Sequence, residues 1–234
     1  MGWRSVPVSA PAVGSASKKL IEKAKETAAE MLESAVSDIE FDNGDFKIVG
    51  TDRVVPFRSV AEKAAGESNV AFDEKETFAP EEATYPNGTH VCELEIDMAT
   101  GEIELVDYTV VDDFGRVINP LLLEGQVHGG IAQGLGQAIL ESCQYESGSG
   151  QLLSASFMDY TMPRADDFPA IRFKRNEVPC ETNPLGIKGA GEAGAIGAPP
   201  AIVNAIVNAL SDHGIRHVDM PVSPNKVWDI LQNV

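Results

Sequence analysis

Glu192 stands in the stretch Gly189-Ala190-Gly191-Glu192-Ala193-Gly194, with Lys188 immediately ahead and Asn183-Pro184-Leu185-Gly186 before that. A carboxylate among glycines, next to a lysine, is poor material for a core and good material for a site. Glycines let the backbone adopt positive φ and bring its N–H groups close to a ligand, at a cost in folding entropy that a purely structural loop has little reason to carry repeatedly. Such a loop suits a phosphate or a large cofactor. Pro199 and Pro200 fit a first helical turn, and Ile202, Val203, Ile206 and Leu210 repeat at helical spacing, so a helix is expected to start behind the loop. Its N-terminus favours anionic ligands.

The same residues match the dinucleotide fingerprint G-x-G-x-x-G. That fingerprint needs a strand running in and a helix opening inside it. Here Thr182 to Gly186 reads as a turn, and Gly197 and two prolines follow before a helix is expected. A Rossmann-type nicotinamide or flavin site is therefore the weaker reading, and a plain glycine loop with a solvated glutamate is another.

A second segment, Val110-Val111-Asp112-Asp113-Phe114-Gly115-Arg116-Val117-Ile118-Asn119-Pro120, leads into a Leu-rich run. Asn119 can cap a helix and Pro120 can open it. Yet Gly125, Gly129, Gly130, Gly134 and Gly136 lie inside, each costing roughly 1 kcal/mol relative to alanine in a helix interior. Something approaches that face closely, either another packed element or a buried ligand.

Taken together, Gly125 to Ala138 (GQVHGGIAQGLGQA), Val111 to Pro120 (VDDFGRVINP) and Asn183 to Gly194 (NPLGIKGAGEAG) resemble the C-terminal, molybdopterin-binding part of the large subunit of the xanthine dehydrogenase and aldehyde oxidase family. The similarity is greatest to the bacterial aerobic carbon monoxide dehydrogenase large-chain branch. It runs almost end to end, from Gly2-Trp3-Arg4-Ser5, similar to the family's serine-rich cofactor loop, to the final Ser223-Pro224 helix.

The resemblance implies roles for particular residues. Glu192 matches the glutamate that serves as general base for a water-derived oxygen attacking an electron-poor carbon, a task suited to a partly desolvated carboxylate. Gln126 matches the glutamine near the metal and the pterin, and His128 is either its neighbour or a structural histidine. Lys188, the glycine N–H groups of Gly189 and Gly191, Arg4 and Ser5 would hold the dinucleotide's phosphates. Asp112 resembles an acidic residue close to the cofactor, although an Asp-Asp pair also forms turns.

The implied cofactor is molybdenum-molybdopterin in its cytosine dinucleotide form, with the metal held by the pterin dithiolene rather than by side chains. Cys92, Cys143 and Cys180 are scattered without a C-x-x-C, and the four histidines lack ligand spacing. Any two-iron-two-sulfur cluster would therefore sit on another chain, and the resemblance implies one partner subunit for it and another for FAD. The N-terminal half of such a large subunit, with the loops that choose the small-molecule substrate, is absent from these residues. The chain is thus expected to need that half, and to expose apolar surface without it. A non-catalytic remnant or assembly module of the same fold is the alternative.

The formal charge of −18 disfavours nucleic acid and anionic membrane surfaces. With no apolar run approaching the ~18 residues of a membrane span and no leader pattern at the start, the expectation is a cytoplasmic protein without membrane insertion.

The elements that position these residues read as α+β, a two-lobed mixed α/β domain over residues 1–234 with lobes near 1–85 and 86–234. Leu20, Ile21, Ala24, Ala28, Met31, Leu32 and Ala35 mark an amphipathic helix from about Ser15 to Val36. Asn43-Gly44 joins two short strands, and Ser59 to Glu62 reads as a capping box. Residues 67–88 read as a linker, followed by a hairpin of Val91 to Ile96 with Ile103 to Val111. Strand-like runs are expected on both sides of Glu146 to Gly150, including Leu152 to Tyr160 with packed aromatics, and again at Ile171 to Val178. A last helix covers Lys226 to Leu231.

Overall fold

The computed structural model describes residues 5–66 and 72–233. The chain divides into two compact units, Val8–Glu81 and Met1–Pro7 together with Glu82–Val234.

In the smaller unit, helix α1 (Ala10–Leu32) follows a π-helical turn at Ser5–Ser9 and starts earlier than its apolar stripe suggests. Pro11 falls in its first turn, where no N–H is required. The helix stops at Glu33, whose left-handed φ of 49° turns the following Ser34 N–H back onto the Ala29 carbonyl at 3.0 Å. Strands β1 (Ile39–Asp42) and β2 (Asp45–Ile48) pair antiparallel around Asn43 and Gly44, both at positive φ, as a two-residue turn demands. Strand β3 (Val54–Pro56), not expected from the sequence, pairs with β2 and runs directly into α2 (Phe57–Gly66). Ser59 therefore lies inside α2 and is not its cap. Phe57 fixes the earlier start, since its N–H bonds to Gly44 and its ring stacks 6.0 Å from Phe46. Ala24, Ala28 and Leu32 of α1 share one core with Phe46, Val55 and Val60.

The larger unit is built on a sheet of β4 (Asn87–Ile96), β5 (Ile103–Asp113) and β6 (Ile171–Arg175), with β5 central. β4 and β5 are antiparallel, and β6 runs parallel to β5 from the Tyr108–Ile171 pair onward. Asn87-Gly88, read as part of a loop, instead opens β4. Gly88 is needed there because a Cβ would meet the Asp112 carboxylate at 1.9 Å. Helix α3 (Pro120–Leu135) is capped by Asn119, whose Oδ1 accepts from the Leu122 N–H at 3.1 Å, and ends in a π-helical turn, Gly136–Leu140. Helix α4 (Ala193–Ala209) and helix α5 (Pro224–Gln232), the latter capped by Ser223, complete it. Tyr108, Val110, Ile131, Leu135, Ile202 and Ile206 form the heart of its core.

α4 begins at Ala193 rather than at the prolines, which lie inside it. Each proline removes a helical hydrogen bond, but the first turns of α4 are already pressed onto α3, and that packing carries the helix through them. Leu152 to Tyr160 forms no strand beyond an isolated Tyr145–Leu152 bridge, and Phe157 and Met158 are exposed rather than packed. β6 ends at Arg175 rather than at Val178: the Asn176 N–H still reaches the Asp112 carbonyl, but the Val178 N–H bonds to the Asp113 carboxylate instead of to a strand carbonyl. Among the described residues no helix is long and apolar enough to cross a membrane.

Candidate functional site

The segment after β5 and the glycine loop before α4 are stitched together by their backbones. Gly115 bridges Ile187, the Lys188 N–H donates to the Phe114 carbonyl at 2.9 Å, and the Arg116 N–H donates to the Gly186 carbonyl at 2.8 Å. Gly115 must be glycine: its φ is 62°, and a Cβ would lie 2.2 Å from the Gly186 oxygen. Asn183 ties in the chain's start, donating from Nδ2 to the Pro7 carbonyl at 2.6 Å and accepting from the Leu185 N–H.

Against this junction lies α3. Gly130 and Gly134 answer the packing question, since added Cβ atoms would strike the backbone at Ala195 and the side chains of Ala198 and Pro199. Gly125 and Gly129 are different, with open space above them. They share an exposed strip with Leu121, Leu122 and Gln126. From that strip the Gln126 amide Nε2 donates to the Gly191 carbonyl at 2.8 Å.

These contacts enclose a cavity of about 440 Å³ whose lining includes Ser5, Gln126, Lys188, Gly189 and Gly191, with Phe114, Val117 and Leu122 supplying apolar wall. Five of the residues singled out in the sequence thus meet at one place. Arg4 lies outside the described residues. Glu192 follows Gly191 as the N-cap of α4, without a side-chain cap bond, and is exposed. The desolvation expected of a general base is therefore not supplied by these residues alone.

Lys188 does not point a free charge into the cavity. Its ammonium lies 2.5 Å from the buried Asp113 carboxylate, which also accepts from the Gly115 and Val178 N–H groups. Burial pushes the Asp113 carboxyl up, but Lys188 and the two N–H groups outweigh it and hold the carboxyl below its usual value. Among the described residues of the lining, the cation left over is Arg116. It lines the cavity, is exposed, and has no ion pair among the described residues. Sequence reading passed over Arg116 because an arginine in a turn carries no local signal of whether its charge is already matched.

Asp112 is not in this cavity. It is buried beside β4, facing a smaller hollow of about 140 Å³ with Asn87, His90 and the first turns of α4. His90 Nε2 is 3.5 Å from one Asp112 oxygen, and His90 Nδ1 is 2.8 Å from the Tyr108 hydroxyl. Burial drives the Tyr108 hydroxyl well above its usual value, so it stays protonated and shares a hydrogen bond with Nδ1, while Nε2 faces Asp112. The ring packs flat on Gly197, where a Cβ would come within 2.5 Å. The turn-forming member of the Asp-Asp pair is Asp113, through its bond from Gly115. His128 is half-buried on α3, and its Nε2 is without a hydrogen-bond partner among the described residues. No cluster of His, Cys, Asp or Glu able to hold a metal ion occurs among the described residues.

A family model described as a molybdopterin cofactor-binding domain matches residues 1–169. The chain belongs to this family, within the group of xanthine dehydrogenase and carbon monoxide dehydrogenase large chains, a family of molybdopterin-dependent oxidoreductases. It is 33% identical to the carbon monoxide dehydrogenase large chain of Hydrogenophaga pseudoflava over 99% of its own length and 29% of that protein. Among solved structures it is similar to a Cu,Mo-CO dehydrogenase, with a TM-score of 0.87 and 30% identity over all of this chain and 30% of that one. It also resembles quinoline 2-oxidoreductase from Pseudomonas putida 86, with a TM-score of 0.81 and 34% identity over 94% of this chain and 29% of that one. The chain thus spans about 30% of the length of the relatives it matches. The Rossmann reading gives way: β6 ends at Arg175, and no strand runs into the glycine loop.

Proposed function

We propose that this chain forms one wall of a molybdopterin dinucleotide site and supplies the general-base carboxylate, Glu192, of a molybdenum hydroxylase that inserts a water-derived oxygen at an electron-poor carbon. The observation that carries this reading is the Gln126–Gly191 hydrogen bond, which brings the amide-bearing helix and the glutamate-bearing loop to the rim of one cavity. The lining fits such a group in kind: apolar wall for a flat ring system, an unmatched guanidinium for phosphate, and open glycines on the neighbouring helix face. The bound cofactor would supply a metal centre that accepts electrons from the substrate. Arg116 binds phosphate, and Lys188 holds the Asp113 turn in shape. Gln126 fixes the carbonyl just before the base. Glu192 takes the proton as the new carbon–oxygen bond forms, once polypeptide beyond these residues has excluded water from it. A flavin subunit and a two-iron-two-sulfur subunit would carry the electrons away in the cytoplasm.

The test is co-expression of the chain with the polypeptide that completes the large subunit, followed by metal and pterin analysis. Glu192→Gln should keep molybdenum and pterin while turnover falls by a factor of at least about 10², the lower range for loss of an acid–base group. Arg116→Gln should lower cofactor content without lowering the melting temperature of the chain. A stable assembly that never contains cofactor would favour the non-catalytic alternative.

A further inference from the structure

The sheet of the larger unit leaves one edge open. β5 is paired along its length with β4, but β6 joins its other side only from Tyr108 onward, so Ile103 to Asp107 have no strand neighbour on that edge among the described residues. The chain leading into β6 does not fill the gap, because Asp166 to Pro169 belongs to no strand and Pro169 has no N–H to give. A groove of about 800 Å³ runs here, with Ile103, Leu105, Ile139, Leu140 and Phe168 in its lining.

The rim of the groove is acidic in an unusual way. Glu95 stands directly opposite Glu104 in the β4–β5 register, and the Asp97 N–H bonds to the Glu102 carbonyl across the same hairpin. Like charges facing each other across a ladder are destabilising. Arg172 neutralises Asp107, yet none of these four carboxylates has a cationic partner among the described residues. Leu94 pairs with Leu105 and Glu93 with Asp107, which leaves Val106 as a bulge on the open strand. Bulges and charges at an edge guard against pairing with a second copy. With a net charge of −18 per chain, another copy is also the wrong electrostatic partner.

We propose that this edge is a docking site for an extended, basic segment of another polypeptide, which adds to β5 in line with β6. About five residues fit along Ile103 to Asp107 at ~3.3 Å each. Alternate side chains of the segment would be apolar, beside Leu105 and Phe168, and lysine or arginine, beside Glu104 and reaching toward Glu95 one strand further across the same face.

The experiment uses the whole chain and a fluorescein-labelled peptide alternating lysine and valine, read by anisotropy at low salt. Saturable binding is expected, weakened about tenfold or more by Glu95→Gln with Glu104→Gln, as for removal of complementary charge at an interface. The double variant should melt no lower than the parent, because it removes a repulsion. The same peptide N-methylated at alternate residues keeps its charge but cannot complete a ladder, and it should not bind. Equal binding of the methylated peptide, or no effect of the double variant, would overturn the proposal. So would concentration-dependent dimerisation lost in the double variant, which would assign the edge to a second copy.

Discussion

Lys188 shows how a residue's chemistry depends on what its charge has already met. Beside a glycine loop it reads as a phosphate ligand, but in the structure its ammonium is matched by Asp113, itself held by two backbone donors. Removing one partner of such a buried pair leaves the other uncompensated, so Lys188→Met should lower stability by about 3 kcal/mol at neutral pH. The pH dependence has a definite sign. The folded carboxyl lies below its unfolded value of 3.8, so the stabilisation is complete above that value and is lost as pH falls from there through the lower folded value. Urea unfolding of the parent and of Asp113→Asn at pH 7 and pH 3 should show the gap between them closing in acid. The sequence made the loop and the segment each conspicuous as candidates, through their glycines and carboxylates, but not their pairing. It did not show which of Asp112 and Asp113 meets the lysine, since that depends on which way each side chain leaves the end of β5.

Helices α3 and α4 put one residue type to two uses. Gly130 meets the α4 backbone, so Gly130→Ala should cost roughly 1–3 kcal/mol by forcing the helices apart. Gly125 has open space above it, and Gly125→Ala should raise stability by up to about 1 kcal/mol through helix propensity alone. If that space is where the cofactor or its covering polypeptide lies, Gly125→Ala should also lower molybdenum content in the assembled enzyme. Thermal melts together with metal analysis separate the two effects. Locally encoded features, such as the Asn43-Gly44 turn and the Asn119-Pro120 helix start, were readable in advance. The start of α4 was not, because it is set by contact with α3, whose glycine surface is distant in sequence.

At the scale of the whole molecule, apolar side chains remain uncovered beside the Gln126 cavity. Leu121 is 79% exposed and Leu122 is 69% exposed, next to the exposed Ile118. Leu121→Gln with Leu122→Gln keeps helix propensity nearly constant, and should reduce binding of an apolar dye and any self-association while leaving the melting temperature almost unchanged. Light scattering and dye fluorescence provide the measurement. The side chain of Asn183 holds two regions that are far apart along the polypeptide, one through its amide and one through its oxygen. An affinity tag fused ahead of Ser5 would therefore pull on the same knot that shapes the glycine loop, whereas one placed after α5 would leave it undisturbed.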